Sequence, residues 1–258
     1  MMSTPLTPPH FFVVAVFFLA ADALLHLVAA RSPHVSPGRR WRLLSRSMAI
    51  TAFLCIVVGL GLYSAKESAW PLQAAPEVMI ASVAAALLWH LVRPCSVEWQ
   101  WEALFYLIAA VLAVWSMAWW NSMQIASTPQ SMPQFWPSMS HLALALACGA
   151  FIHAGTSSLA YLFTDKLSGK TAAEEISDNA MLVGLPFLSV SLLLTVIAKL
   201  YTRGVYWDWS TAEAWQLLTW LFYVMIWCAW VVLGWRGRRI WELTALGMVL
   251  IVLMLRAI

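Results

Sequence analysis

A chain of 258 residues that is 62% hydrophobic and only 10% charged has too little polar surface to cover a soluble fold, because an average soluble domain carries about 25% charged residues. The net charge of +3 is small and its basic residues are spread between apolar runs, so a nucleic-acid-binding surface is not suggested. What remains is a polytopic, all-α membrane protein, folded as a single domain over residues 1–258.

Cys55, Cys95, Cys148 and Cys228 are scattered and form no Cys-x-x-Cys pair, so neither a disulfide framework nor a thiol-redox motif is implied. The start of the chain has no basic region and no small-residue cleavage site. The first apolar run is therefore expected to be retained as a span.

Eight runs are long enough to cross a bilayer, at roughly 10–30, 47–63, 78–92, 101–120, 141–163, 181–201, 214–234 and 240–256. Pro186 predicts a kink in the sixth. One set of connections holds Arg31, Arg39, Arg40, Arg42, Arg46, Arg93, Lys166, Lys170, Arg236, Arg238 and Arg239, which is 11 of the 15 basic residues. The other holds Lys66, Lys199, Arg203 and Arg256. By the positive-inside rule the first set is cytoplasmic, which places both termini outside. Residues 121–140 lack charge and carry Pro129, Pro133 and Pro137, so an irregular outer segment is expected there. Residues 164–179, with Asp165, Lys166, Lys170, Glu174, Glu175 and Asp178, read as a solvated cytoplasmic connector.

Seventeen Trp is several times ordinary usage. Indoles collect at both membrane interfaces, and Trp41, Trp70, Trp99, Trp101, Trp235 and Trp241 fit such belts. Trp119, Trp120, Trp136, Trp207, Trp209, Trp215 and Trp220 instead crowd the outer face. Rigid, flat, amphipathic rings suit a large planar apolar ligand. The densest stretch is the outer loop at 202–215, where Tyr206, Trp207, Asp208, Trp209, Glu213 and Trp215 follow Arg203.

The run Tyr206-Trp207-Asp208-Trp209-Ser210-Thr211-Ala212-Glu213-Ala214-Trp215 resembles the tryptophan-rich WWD signature of the cytochrome c assembly, or haem-handling, membrane proteins (CcsA/ResC type). Trp207, Trp209, Glu213 and Trp215 keep its register, as do Thr219, Trp220, Leu221 and Tyr223 in the helix that follows. Gly234-Trp235-Arg236-Gly237-Arg238-Arg239 is similar to that superfamily's basic inner turn, and His141, Gly155 and Ser157 to its external-histidine helix. The resemblance spans residues 135–250 and leaves the four-helix half at 1–120 unmatched. Ser210 and Thr211 stand where the motif has Asp and Pro, Cys228 replaces a histidine, and no second external histidine precedes Ile258. In that shortened form the chain resembles the HemX/YpjD-like branch of the same superfamily.

The resemblance implies transient binding of haem b at the outer face of a bacterial-type inner membrane, for delivery to apocytochrome c. Covalent attachment would fall to a partner membrane protein, so the chain alone would be a binding component and not a catalyst. His141 would be an axial iron ligand, with Tyr206, Trp207, Trp209, Glu213 and Trp215 against the porphyrin. Arg203 suits a propionate, since guanidinium pairs bidentately with carboxylates. Glu213 and Asp208 could orient His141 or hold an Arg, and Met132 or Met139 could supply a softer ligand. A membrane regulator of haem synthesis and a proton-coupled solute transporter are the alternatives.

Three further histidines lie inside spans. At 1.5 Å per residue, His90 and His153 fall roughly 18 Å from the outer end, Cys228 near 21 Å and His26 near 24 Å. Ionisable groups at such depth point to an inner haem or proton site, while helix–helix hydrogen bonding alone would also account for them.

Overall fold

The computed structural model describes residues 8–31, 39–67, 72, 74–92, 99–123, 135–163, 167–235 and 237–257. Among these, every regular element is a helix: α1 (Pro8–Arg31), α2 (Arg39–Glu67), α3 (Ala75–Val92), α4 (Trp99–Met123), α5 (Phe135–Phe163), α6 (Leu167–Arg203), α7 (Thr211–Val231) and α8 (Arg238–Ala257). All eight are long and apolar enough to cross a membrane. The expected spans are all present, but several are longer than apolar counting made them. Arg42 and Arg46, for example, lie inside α2, because long basic side chains can reach out of a helix end towards water.

Two segments expected as connections, one irregular and one a solvated connector, are helical where the structure describes them. The charged stretch from residue 167 to 179 forms the first turns of the 37-residue α6, which continues through Pro186. Ala173 and Ser177 are fully buried within it. Burying one face of this stretch adds stability that composition alone does not reveal. In the stretch at 121–140, residues 121–123 complete α4 and 135–140 begin α5. Pro137 sits in the first turn of α5, where a missing N–H removes no intrahelical bond. Residues 124–134, including Met132, lie outside the described residues.

The most buried helices are α3 and α5, and they set the centre of the bundle. They approach closely because small residues meet: a Cβ on Gly149 would stand 2.5 Å from the Ala85 Cβ and 2.7 Å from the Ala86 backbone nitrogen. Such close small-residue packing is how helices associate in lipid. α6 and α8 flank α5, α1 packs on α2 and α4, and α7 packs on α8 and α6. The side chains of Phe151 and Tyr223 bring α5 and α7 together, with ring centroids 3.7 Å apart. Apolar side chains such as Phe17, Leu193 and Val232 cover the outer perimeter, as a lipid-facing surface requires.

A set of polar groups inside the bundle is paired across α5, α6 and α7. Ser140 Oγ donates to the Ser191 carbonyl (3.0 Å) and Ser191 Oγ to the Ser140 carbonyl (2.9 Å). Gln216 Nε2 donates to Ser191 Oγ and Trp220 Nε1 to Ser189 Oγ, each at 2.8 Å. This seam ties α5, α6 and α7 together just below the Trp-rich loop. Trp241, expected at an interface belt, is 3% exposed and packs its ring 5.4 Å from that of Tyr161.

Candidate functional site

The Trp-rich loop connects α6 to α7 and is built from backbone signals outward. α6 ends at Gly204, whose φ of +69° suits glycine, and the Gly204 N–H bonds the Leu200 carbonyl (3.1 Å). This is the left-handed cap with which many helices stop. α7 begins at Ser210, an extended N-cap residue whose Oγ accepts from the Glu213 N–H. Ser210 and Glu213 have the spacing of a capping box. The departure at Ser210 is therefore conservative for capping, because Ser and Asp serve the N-cap about equally well.

Four charged residues clamp the loop to the end of α6. Lys199 pairs with both Asp208 and Glu213, and Arg203 Nη1 donates to Asp208 Oδ2 at 2.8 Å. Asp208 Oδ1 also accepts from the Ser210 N–H (3.2 Å), and the Asp208 N–H reaches Glu213 Oε2 (3.3 Å). The Lys199 ammonium beside Asp208 is the main cause holding its carboxyl down to about 2. Glu213 is 3% exposed, so Lys199 neutralises a buried carboxylate.

On this clamp the aromatic residues are presented outward. Trp209 has a φ of +54° and is 71% exposed, and Tyr206 is exposed to a similar degree. A non-glycine residue in the left-handed region is strained, and here the strain directs an indole away from the bundle. Trp207 is half-buried and meets Trp209 edge to face at 5.9 Å. Its Nε1 is buried without a hydrogen-bond acceptor among the described residues. Trp215 lies half-buried in the first turns of α7, against the core.

His141 belongs to the same end of the bundle but not to this clamp. Its Nδ1 lies 2.7 Å from the Leu72 carbonyl, in the connection between α2 and α3. A carbonyl only accepts, so Nδ1 carries the proton and Nε2 keeps its lone pair. Leu72 itself is held at a φ of +67°. The partners foreseen for His141 are thus used elsewhere: Asp208 takes Arg203 and Lys199, Glu213 takes Lys199, and a backbone carbonyl orients the imidazole. Ser140, one residue earlier, faces α6, bonding Thr195 Oγ1 at 2.7 Å. One turn further out, Trp136 stacks over Tyr201 at 6.1 Å. A groove of about 610 Å³ lined by Trp115, Ala118, Trp119 and Arg256 opens at the ends of α4 and α8.

Sequence reading missed Lys199 and Leu72. Lys199 was legible as a cation one turn before Arg203 in an apolar helix, which calls for a carboxylate partner. Leu72 left no signal, since any residue can offer a carbonyl.

Eight membrane-length apolar helices with an ordered aromatic loop at one end define a polytopic helical membrane protein. No profile of a known protein family matches the chain. Over 93 residues, 36% of its length, it is 30% identical to the cytochrome c biogenesis protein CcsA of Microcystis aeruginosa, and over 90 residues it is 31% identical to CcsA of Trichormus variabilis. Those matches cover 28% and 26% of the relatives, so they span about a quarter of each CcsA. Among solved structures, all of this chain superposes on 48% of the cytochrome c haem lyase CcmF, with a TM-score of 0.61 and 17% sequence identity. The helical fold is what the chain shares with CcmF.

Proposed function

We propose that the chain is a haem-handling membrane protein of cytochrome c biogenesis, which binds haem b transiently at the Trp-loop end and presents it for attachment. The observation that carries this reading is the clamp of Lys199, Arg203, Asp208 and Glu213, which spends four charged residues on fixing exposed indoles at one end of the bundle. A loop serving only as an interfacial anchor needs no such fixing. The similarity to CcsA supports the same reading.

The residues present fit a haem. His141 has the tautomer an axial ligand needs, with Nδ1–H held by a carbonyl and Nε2 free. Trp207, Trp209 and Tyr206 would give the apolar porphyrin face its contact area, and the orphaned Trp207 Nε1–H seeks an acceptor such as a carboxylate. Arg203 is exposed enough to reach a propionate while Lys199 keeps Asp208 neutralised. When bound, haem supplies the porphyrin that becomes attached to apocytochrome c, and the chain's own residues bind and orient it. In this reading the Trp-loop end faces outward from a bacterial-type inner membrane, and the partners are apocytochrome c and a synthesis protein.

An absorption spectrum of detergent-purified protein with added haem tests the proposal. Wild type is expected to give a Soret band that His141→Ala shifts or weakens while Trp220→Phe leaves it in place. Absence of haem binding by wild type would overturn the function, and an unchanged band in His141→Ala would overturn the ligand. Loss of covalent haem from c-type cytochromes on deletion is expected, and retention would point to a regulatory role.

A further inference from the structure

At the opposite, arginine-bearing end, α1 to α5 enclose a seam of titratable groups that haem handling at the Trp-loop end does not use. Asp22 and His26 are one turn apart on α1 and fully buried. His26 Nε2 lies 2.9 Å from Ser45 Oγ of α2 and 3.4 Å from Asp22 Oδ1, and Ser45 Oγ donates to Asp22 Oδ2 at 3.2 Å. The other ring nitrogen, Nδ1, lies 3.2 Å from Glu102 Oε2 of α4. Glu102 is the most open of these groups, with its side chain 17% exposed.

The proton count follows from donor and acceptor chemistry. When Ser45 gives its one hydroxyl proton to Asp22 it accepts towards His26, and Nε2 carries hydrogen, while the Tyr106 hydroxyl of α4 bonds within the same Ser45–Asp22 pair. A neutral imidazole then presents a bare Nδ1 lone pair to Glu102. Two unprotonated acceptors 3.2 Å apart in a buried site repel each other. A proton on Nδ1 or on Glu102 Oε2 removes that conflict. It also reduces the charge of two buried carboxylates, which is costly in a membrane interior.

We propose that Asp22, Ser45, His26 and Glu102 form a proton-binding site, open towards the arginine-bearing end, that holds one proton on His26 or on Glu102. Release of that proton leaves two carboxylates around one neutral imidazole, so the site works as a proton store whose filling tightens the contact of α1 with α4. Titratable and charged groups of α2, α3, α4 and α5 face it. Tyr106 of α4 stacks on His26 at 5.5 Å, His90 of α3 packs 5.3 Å from Tyr106, and His153 of α5 packs 5.8 Å from His90. Arg42 and Arg46 of α2 act on Glu102 and His90 from the exposed side of that helix. Both nitrogens of His153 and Nδ1 of His90 are buried without partners among the described residues. This makes them the polar groups next in line beyond the store.

The test is infrared difference spectroscopy of the full-length protein in lipid nanodiscs during a pH titration, with ¹³C-labelled glutamate and, separately, ¹⁵N-labelled histidine for nuclear magnetic resonance. At neutral pH the wild type is expected to show either one protonated glutamate carbonyl or one doubly protonated imidazole per chain. Glu102→Gln should abolish the first, and His26→Gln should remove the second. Helix content and elution volume check that each variant folds. A neutral-pH wild type with neither signature overturns the proposal, and that outcome needs no variant. A signature that survives both Glu102→Gln and His26→Gln overturns it equally.

Discussion

Lys199 is the residue on which the Trp-rich loop depends most, because among the described residues it is the cation paired with the buried Glu213 carboxylate. Removing one partner of a buried ion pair leaves an uncompensated charge and costs about 3–5 kcal/mol. Lys199→Met is therefore expected to lower the thermal unfolding midpoint markedly, and Lys199→Met with Glu213→Gln should recover most of the loss. Arg203 is 66% exposed, and exposed pairs contribute about 0–1 kcal/mol, so Arg203→Ala should move the midpoint little. Equal losses in the two single variants, read by differential scanning calorimetry in detergent, would refute this ranking. Asp208 adds a pH dependence whose sign is fixed by its low carboxyl, at about 2. A depressed carboxylate contributes stability above its unfolded value of about 3.9 and loses it as pH falls through the folded one. The clamp should accordingly stay closed from neutral pH to about pH 4 and open only below that. The difference in indole absorbance between wild type and Asp208→Asn, followed during acidification, checks this: divergence above pH 5 would contradict it.

Between helices, packing is decided by what a glycine lets in. At Gly149 an added methyl would meet the α3 backbone at 2.7–2.8 Å, whereas at Gly61 of α2 it would meet nothing within 4 Å. Gly149→Ala must push α3 and α5 apart and should cost about 1–3 kcal/mol by overpacking. Gly61→Ala should cost nothing, because its methyl enters open space and alanine favours the helix. The two midpoints, compared in one detergent, decide it, and the reverse order would show that α3 and α5 are not packed as described. The same contrast explains what the sequence could convey about the elements. Apolar run length made all eight spans legible, since a membrane imposes one length on every helix. The helical start of α6 was not legible, because Glu174, Glu175 and Asp178 look solvated while the neighbouring Ala173 and Ser177 are buried on one face. For the candidate site, Trp207, Trp209, Glu213 and Trp215 were readable from their order in the chain. The ion-pair partner of Glu213 was not, because Lys199 and Glu213 meet only when α6 and α7 fold side by side.

For the whole molecule, the two ends carry different chemistry, and that difference sets its orientation. The end with Arg42, Arg46, Arg238 and Arg239 also carries Glu102 and the His26 cluster, and the other carries the aromatic loop, His141 and Arg256. Lys199 and Arg203, two of the few basic residues at the loop end, are already neutralised by Asp208 and Glu213. Their weight as signals for retention is thereby reduced in the folded protein, which sharpens the asymmetry of 11 against 4 basic residues. The orientation rule acts on Lys and Arg near span ends, so the arginine-bearing end is expected in the cytoplasm. In a variant with its four cysteines replaced, a single cysteine introduced by Thr211→Cys should react with a membrane-impermeant maleimide in sealed, right-side-out vesicles. One introduced by Arg239→Cys should react only after the vesicles are opened. The opposite pattern would invert the molecule, move the indole platform to the cytoplasmic side, and remove it from the compartment in which the proposed delivery of haem takes place.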